Sequence, residues 1–254
     1  MTLRLPDPCL VVLVGMALLL AGSVIGGGVQ VALWTAAAAI DYAGPAWLTR
    51  ERLRGLQRVA VAHFAERYSL FVIICLGESI VAIGVGAGSE RFDAQLVAAV
   101  GLGLLITVAL WWTYFDRFAE VAEQRLRTHD DPVLAAADAY SYLHLVIVAG
   151  IIVFAVGVKQ AAGAVDAPLA DAARLALCGG VALYLAGHVA FGLRMVGAVG
   201  VEKLVAAAAV LVLYAVGGHL DAWLLAGAVA AVLGAMCTVE TILARRAEPR
   251  RPAG

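Results

Sequence analysis

The sequence has 254 residues, a formal net charge of −1, and 63% hydrophobic against 15% charged residues, with a mean hydropathy of +0.92. That balance lies outside the range of soluble domains, so the chain reads as an integral membrane protein organised in spans of about 20 residues. The placement of charge along such a chain carries more information than its sum, and nothing in it suggests nucleic-acid binding.

Eight apolar segments follow in chain order, at about residues 9–25, 27–43, 69–86, 94–115, 139–158, 170–191, 204–218 and 222–243. They predict a single all-α, polytopic membrane helix bundle over residues 1–254, with both termini cytoplasmic. Between the first two segments, "AGSVIGGGVQ" at residues 21–30 is either a tight glycine-rich turn between helices or a flexible point in one oblique helix. The first segment also resembles a signal peptide, although Pro6, Pro8 and the single Arg4 make a weak n-region. All four cysteines, Cys9, Cys75, Cys178 and Cys237, fall inside apolar runs without paired spacing, and they read as packing residues.

Orientation follows from the basic residues, which collect in cytoplasmic loops. With eight spans, Arg4, Arg50, Arg52, Arg54, Arg58, Arg67, Arg117, Arg125, Arg127, Arg194, Lys203, Arg245, Arg246, Arg250 and Arg251 fall inside, fifteen of the 18. Only Arg91, Lys159 and Arg174 fall outside. Trp111, Trp112, Tyr114 and Phe115 then mark the inner end of the fourth span, and Tyr140 and Tyr142 that of the fifth.

Two inner loops are long. Residues 50–68, "RERLRGLQRVAVAHFAERY", fit a helix lying along an anionic inner leaflet, with a solvated, topology-enforcing loop as the alternative. Anionic lipids at residues 50–67 are therefore a candidate partner. In residues 117–138, Pro132 starts the next helix at its first turn, and the neighbouring His129, Asp130 and Asp131 read as capping rather than as a metal site. No Walker motif, dinucleotide fingerprint, HExxH or serine elbow occurs, so neither a cofactor nor a metal is expected. "GVGAG" at residues 84–88 has no following lysine, and like the 27 glycines of the chain it reads as close helix packing.

The third segment carries the candidate site. Glu78 stands eight residues into it, about 12 Å deep in a hydrocarbon layer of about 30 Å. An ionised side chain at that depth costs about 2.5–3.5 kcal/mol on insertion scales, so Glu78 is expected to face the bundle or water. If one helix runs unbroken from His63, Arg67 lies about 20° from Glu78 on the helical wheel and His63 about 60° away. The three would share a stripe leading from the inner surface to the midplane, with the Ser79 hydroxyl beside it. Arg67 also reads as a snorkelling anchor, and an acid joining two helices is the plain structural alternative for Glu78. His144 and His188 fall in the inner halves of the fifth and sixth spans, where each reads either as a helix-to-helix hydrogen bond or as part of a proton relay. Glu240, just before Arg245 and Arg246, reads as an interfacial charge pair.

"HFAERYSLFVIICLGESIVAIGVG" at residues 63–86, "WWTYFD" at 111–116, "YLHLVIVAGIIVFAVG" at 142–157 and "LCGGVALYLAGHVAFGLR" at 177–194 together resemble the bacterial low temperature requirement A (LtrA) family. The first of these stretches is the specific one. The resemblance implies a multispanning protein of the inner (plasma) membrane whose polar signature is carried by Glu66, Arg67, Glu78 and Ser79, and it implies no reaction. Family members usually begin with an ELFFDLVFV-like span that does not occur here, so a shortened member, or a start lying upstream, is expected.

These readings favour a transporter of protons, cations or a small solute that uses Glu78 as a midplane carboxylate. The rival is a non-transporting membrane factor that supports envelope function at low temperature through lipid or protein contacts. An intramembrane enzyme ranks last, because Glu78, His144 and His188 have no recognised catalytic spacing.

Overall fold

In this computed structural model, residues 8–53, 61–88, 90–116, 118, 124 and 142–247 are described, without the side chains of 8, 9, 42–53 and 61–65. Most of the basic stretch at 50–67, the His63 side chain and the His129–Asp131 group thus lie outside the described residues. Eight α-helices occupy the described chain: α1 (Pro8–Ile25), α2 (Gly27–Leu53), α3 (Val61–Ala87), α4 (Ala94–Phe115), α5 (His144–Ala162), α6 (Asp171–Val196), α7 (Val201–Val216) and α8 (Ala222–Ala247). Six of them, α3 to α8, contain stretches long and apolar enough to cross a membrane, and α1 supplies a shorter apolar helix at Leu10–Ile25. This is the all-α architecture expected of a membrane helix bundle, in which every backbone polar group is satisfied inside its own segment.

The described residues fall into two compact units. The first holds α1 and α2. Gly26 and Gly27 adopt φ of 74° and 61°, a left-handed conformation that glycine enters without steric cost. The chain therefore reverses there, which settles the stretch at 21–30 as a tight turn. α2 packs back on α1, with the Trp34 indole donating to the Leu19 carbonyl at 3.1 Å.

The second unit is a ring of six helices in which α3 packs on α4, α4 on α8, α8 on α7, α7 on α6, α6 on α5, and α5 on α3. α5 also crosses to touch α4 and α8, so it fills the middle. Sequence neighbours run antiparallel, and Arg67, Arg194, Lys203, Arg245 and Arg246 share one end of the ring, here the basic end. The α5–α6 seam is made by glycines at intervals of seven. β-Carbons built on Gly150 and Gly157 would stand 2.5 Å from the Tyr184 nitrogen and 2.2 Å from the Leu177 nitrogen, and one on Gly180 would stand 2.3 Å from the Phe154 nitrogen. Lipid tails offer no hydrophobic force between helices, so backbone approach of this kind supplies the packing. Ile147, Ile151, Leu177, Val181 and Leu185 fill the space beside the seam, continuous with Ile106, Leu110, Val229 and Leu233.

Two expectations are corrected by this arrangement. Tyr114 is not an interfacial anchor: it is buried, while Trp111 and Trp112 remain exposed. It continues the inward stripe of Gly103, Ile106, Thr107 and Leu110, one helical repeat further on. Lys203 is not a loop residue, because α7 begins at Val201 and carries it into the bundle. Its ammonium donates to Glu240 at 2.5 Å, so Glu240 pairs with α7 rather than with the arginines following it.

Candidate functional site

Five of the candidate residues, His63, Glu66, Arg67, Glu78 and Ser79, stand on α3, which is helical from Val61 and therefore runs unbroken from His63 through Arg67 to Glu78. Glu66 and Arg67 are exposed at the basic end, and Glu78 is also exposed, while Ser79 is wholly buried. Consecutive helical residues diverge by about 100°, so when α3 turns Ser79 into the ring it turns Glu78 away from it. The Ser79 hydroxyl donates to the Cys75 carbonyl at 3.3 Å and is engaged within its own helix. Glu78 has no hydrogen-bonded or ionic partner among the described residues. It lies on one exposed stripe with Arg67, Phe71, Ile74 and Val81.

The two histidines converge. His144, at the start of α5, is 1% exposed, and His188 on α6 is 2% exposed. Both rings stand edge-on to Tyr114, at 5.6 Å for His144 and 5.9 Å for His188. His144 also meets Tyr68 at 5.0 Å, which ties α3 to the cluster. His188 is enclosed by Phe118 at 4.4 Å and Tyr184 at 4.3 Å. Its Nδ1 lies 3.0 Å from the Tyr184 carbonyl. A carbonyl only accepts, so that nitrogen carries the hydrogen. In the neutral ring Nε2 is then an acceptor, and it is buried with no hydrogen-bond partner among the described residues.

Two further groups complete the cluster. The Tyr184 phenol donates to the Leu110 carbonyl at 2.5 Å, and Ser69 on α3 stands beside Tyr114. The Lys203–Glu240 pair lies close enough for Lys203 to be felt electrostatically at His188 and Glu240 at Tyr184. The aromatic and imidazole rings thus form one cluster drawn from α3, α4, α5 and α6 at the basic end of the ring, and the Lys203–Glu240 ion pair joins α7 to α8 at the same end. The free lone pair of His188 Nε2 is enclosed among the Tyr114, Phe118 and Tyr184 rings.

The structure therefore brings together His144 and His188 and separates both from Glu78. Tyr114, Tyr184 and Lys203 are the members that sequence reasoning missed. The helical spacing of Tyr114 from Leu110 and Ile106 was the available signal for the first of them. Among the described residues, no group of three or more His, Cys, Asp or Glu is placed to hold a metal ion.

The family model described as bacterial low temperature requirement A protein (LtrA) matches residues 7–238. An uncharacterized protein of Rhizobium meliloti (strain 1021) is 35% identical over 133 residues, which cover 50% of this chain and 32% of that relative. The chain thus matches about a third of the relative's length. No solved structure matches it.

Proposed function

Because the chain belongs to the bacterial low temperature requirement A (LtrA) family and is a multi-pass integral membrane protein, we propose that it transports protons, cations or a small solute. The observation that carries this reading is the buried polar set at the basic end, above all His188, whose Nε2 is desolvated and unpartnered among the described residues. Ionisable groups inside a membrane bundle are costly, and their retention marks proton or ion pathways by default. On this reading His188 and the Lys203–Glu240 pair form an exchange site inside the ring, and Glu78 is a separate acid at mid-depth on α3. The asymmetry of Lys and Arg supports the inner membrane, with the basic end cytoplasmic.

The test is flux into liposomes holding the purified full chain, under imposed proton, sodium and potassium gradients. Wild-type flux above protein-free liposomes, lowered by His188→Gln, supports the reading, and a further drop with Glu78→Gln assigns the acid a share. Wild-type flux no greater than that of empty liposomes for all three ions overturns proton and cation transport.

A second reading is favoured by a different observation. The grooves beside α8 open on the outside of the ring, one against α4 and one against α7. That arrangement suits a non-transporting membrane factor that acts through lipid contacts. A protein silent in flux but selective for lipid would be of this kind.

A further inference from the structure

The groove between α4 and α8 is built unevenly along its length. It encloses about 800 Å³. On α8 its floor is Gly227, Ala230, Ala231 and Gly234, spaced as one helical face of very small side chains. On α4 its wall is Leu102, Leu105, Val108 and Trp112. The two helices are held apart in register: Leu102 stands 3.5 Å from a β-carbon built on Gly227, and the Thr113 hydroxyl lies 3.8 Å from Cys237 Sγ. Ten residues of α4 separate Leu102 from Trp112, about 15 Å, which is the depth of one leaflet in a hydrocarbon layer of about 30 Å.

The chemistry changes only at the basic end of the groove. Trp112 sits there as an amphipathic ring, followed by Thr238, Thr241 and Arg245. The Thr238 and Thr241 hydroxyls donate to the Gly234 and Cys237 carbonyls at 2.7 Å and 2.8 Å, so their hydrogens are already used. Arg245 is exposed and has no ion-pair partner among the described residues. Glu240, one and a half turns earlier, is taken by Lys203. Among the described residues, the groove therefore ends on a guanidinium with no ion-pair partner, a group whose donor fork suits a phosphate.

We propose that this groove is a binding site for one anionic glycerophospholipid of the leaflet at the basic end. An acyl chain lies along Gly227–Gly234 between the walls of α4, and the phosphate sits on Arg245. Charge complementarity and leaflet depth select this occupant over a second copy of the chain, whose own basic end would bring arginine against arginine. The site is independent of whether any solute crosses the ring.

The experiment is native mass spectrometry of the full chain in detergent, titrated separately with phosphatidylglycerol and phosphatidylcholine. The expected result is one retained phosphatidylglycerol per chain, favoured about fivefold over phosphatidylcholine, as one interfacial charge supplies. Arg245→Gln abolishes that preference. Arg246→Gln, on the same turn but outside the groove, leaves it intact. A β-carbon at Gly234 meets nothing within 4 Å, so Gly234→Leu enters the groove with no clash at its first carbon and removes retention of both lipids. Equal binding of the two lipids by the wild type, or equal loss in both arginine variants, overturns the proposal. So does unchanged retention in Gly234→Leu, or a dimer that the same substitution dissociates.

Discussion

Gly157 on α5 approaches Leu177 on α6 so closely that a β-carbon on the glycine would stand 2.2 Å from the Leu177 backbone nitrogen. The obstacle is main chain, so no rotamer change relieves it, and α5 would have to leave α6. Overpacking a core costs about 1–3 kcal/mol when side chains can adjust, and here the cost falls at or above the upper end of that range. Gly157→Val is expected to lower the midpoint of thermal unfolding in detergent sharply. Gly101→Ala, at a position where a β-carbon meets nothing within 4 Å, is expected to leave it unchanged or raise it slightly through helix propensity.

The pair of Lys203 and Glu240 has side chains only 10% and 27% exposed, and it joins the first turn of α7 to the last turns of α8. Removing one partner of a fully buried pair costs about 3–5 kcal/mol, because the other charge stays desolvated and unpaired. Partial exposure of Glu240 reduces the figure here and makes it unequal. Lys203→Met leaves an acid that can still reach water, whereas Glu240→Gln leaves the more buried ammonium, with only Glu202 at 3.4 Å. Glu240→Gln is therefore the more destabilising single change. The double variant is expected to recover part of the loss in a thermal double-mutant cycle. A purely additive result would show that the pair contributes no coupling.

Tyr184 offers a gentler test. Its phenol donates to the Leu110 carbonyl, an oxygen that α4 also uses for its own helix. Tyr184→Phe therefore removes a bond without leaving a wholly unsatisfied acceptor, and a loss of about 1 kcal/mol is expected, near the ordinary net value. Tyr184→Phe keeps the ring against the His188 imidazole and the backbone carbonyl that fixes its tautomer, so the His188 tautomer is expected to be unchanged by NMR.

The helices of this bundle were legible because each is an apolar run long enough to cross a membrane, and the glycine turn at Gly26 and Gly27 was visible as one of two options. What joins to what was not. A membrane helix is apolar on its lipid face and on its core face alike, so hydropathy carries no period from which to read direction. α3 shows the consequence: Val72, Leu76, Ser79 and Ile83 turn inward, and Ile74, Glu78 and Val81 turn outward, with isoleucine and valine on both sides. Tyr114 was misread because aromatics near a span end ordinarily mark the interface. Lys203 was misread because a charge near a span start ordinarily marks a loop. In both cases the burial of a polar group overrides the compositional rule, and both residues belong to the polar set beside His188.

The neighbours Glu78 and Ser79 separate position from composition. Ser79 is fully buried against the ring, so Ser79→Leu must fit two additional heavy atoms into a packed site, at a cost of about 1–3 kcal/mol. Glu78 is exposed and makes no hydrogen bond or ion pair among the described residues, so Glu78→Leu removes no polar contact of the six-helix ring. In a bilayer it also removes the cost of holding a carboxylate at mid-depth. The expected order of thermal stability is therefore Glu78→Leu at or above the wild type, and Ser79→Leu below it. A Glu78→Leu variant less stable than Ser79→Leu would mean that the carboxylate makes a stabilising interaction in the full chain. Its face of α3 would then be a covered surface rather than a lipid-facing one.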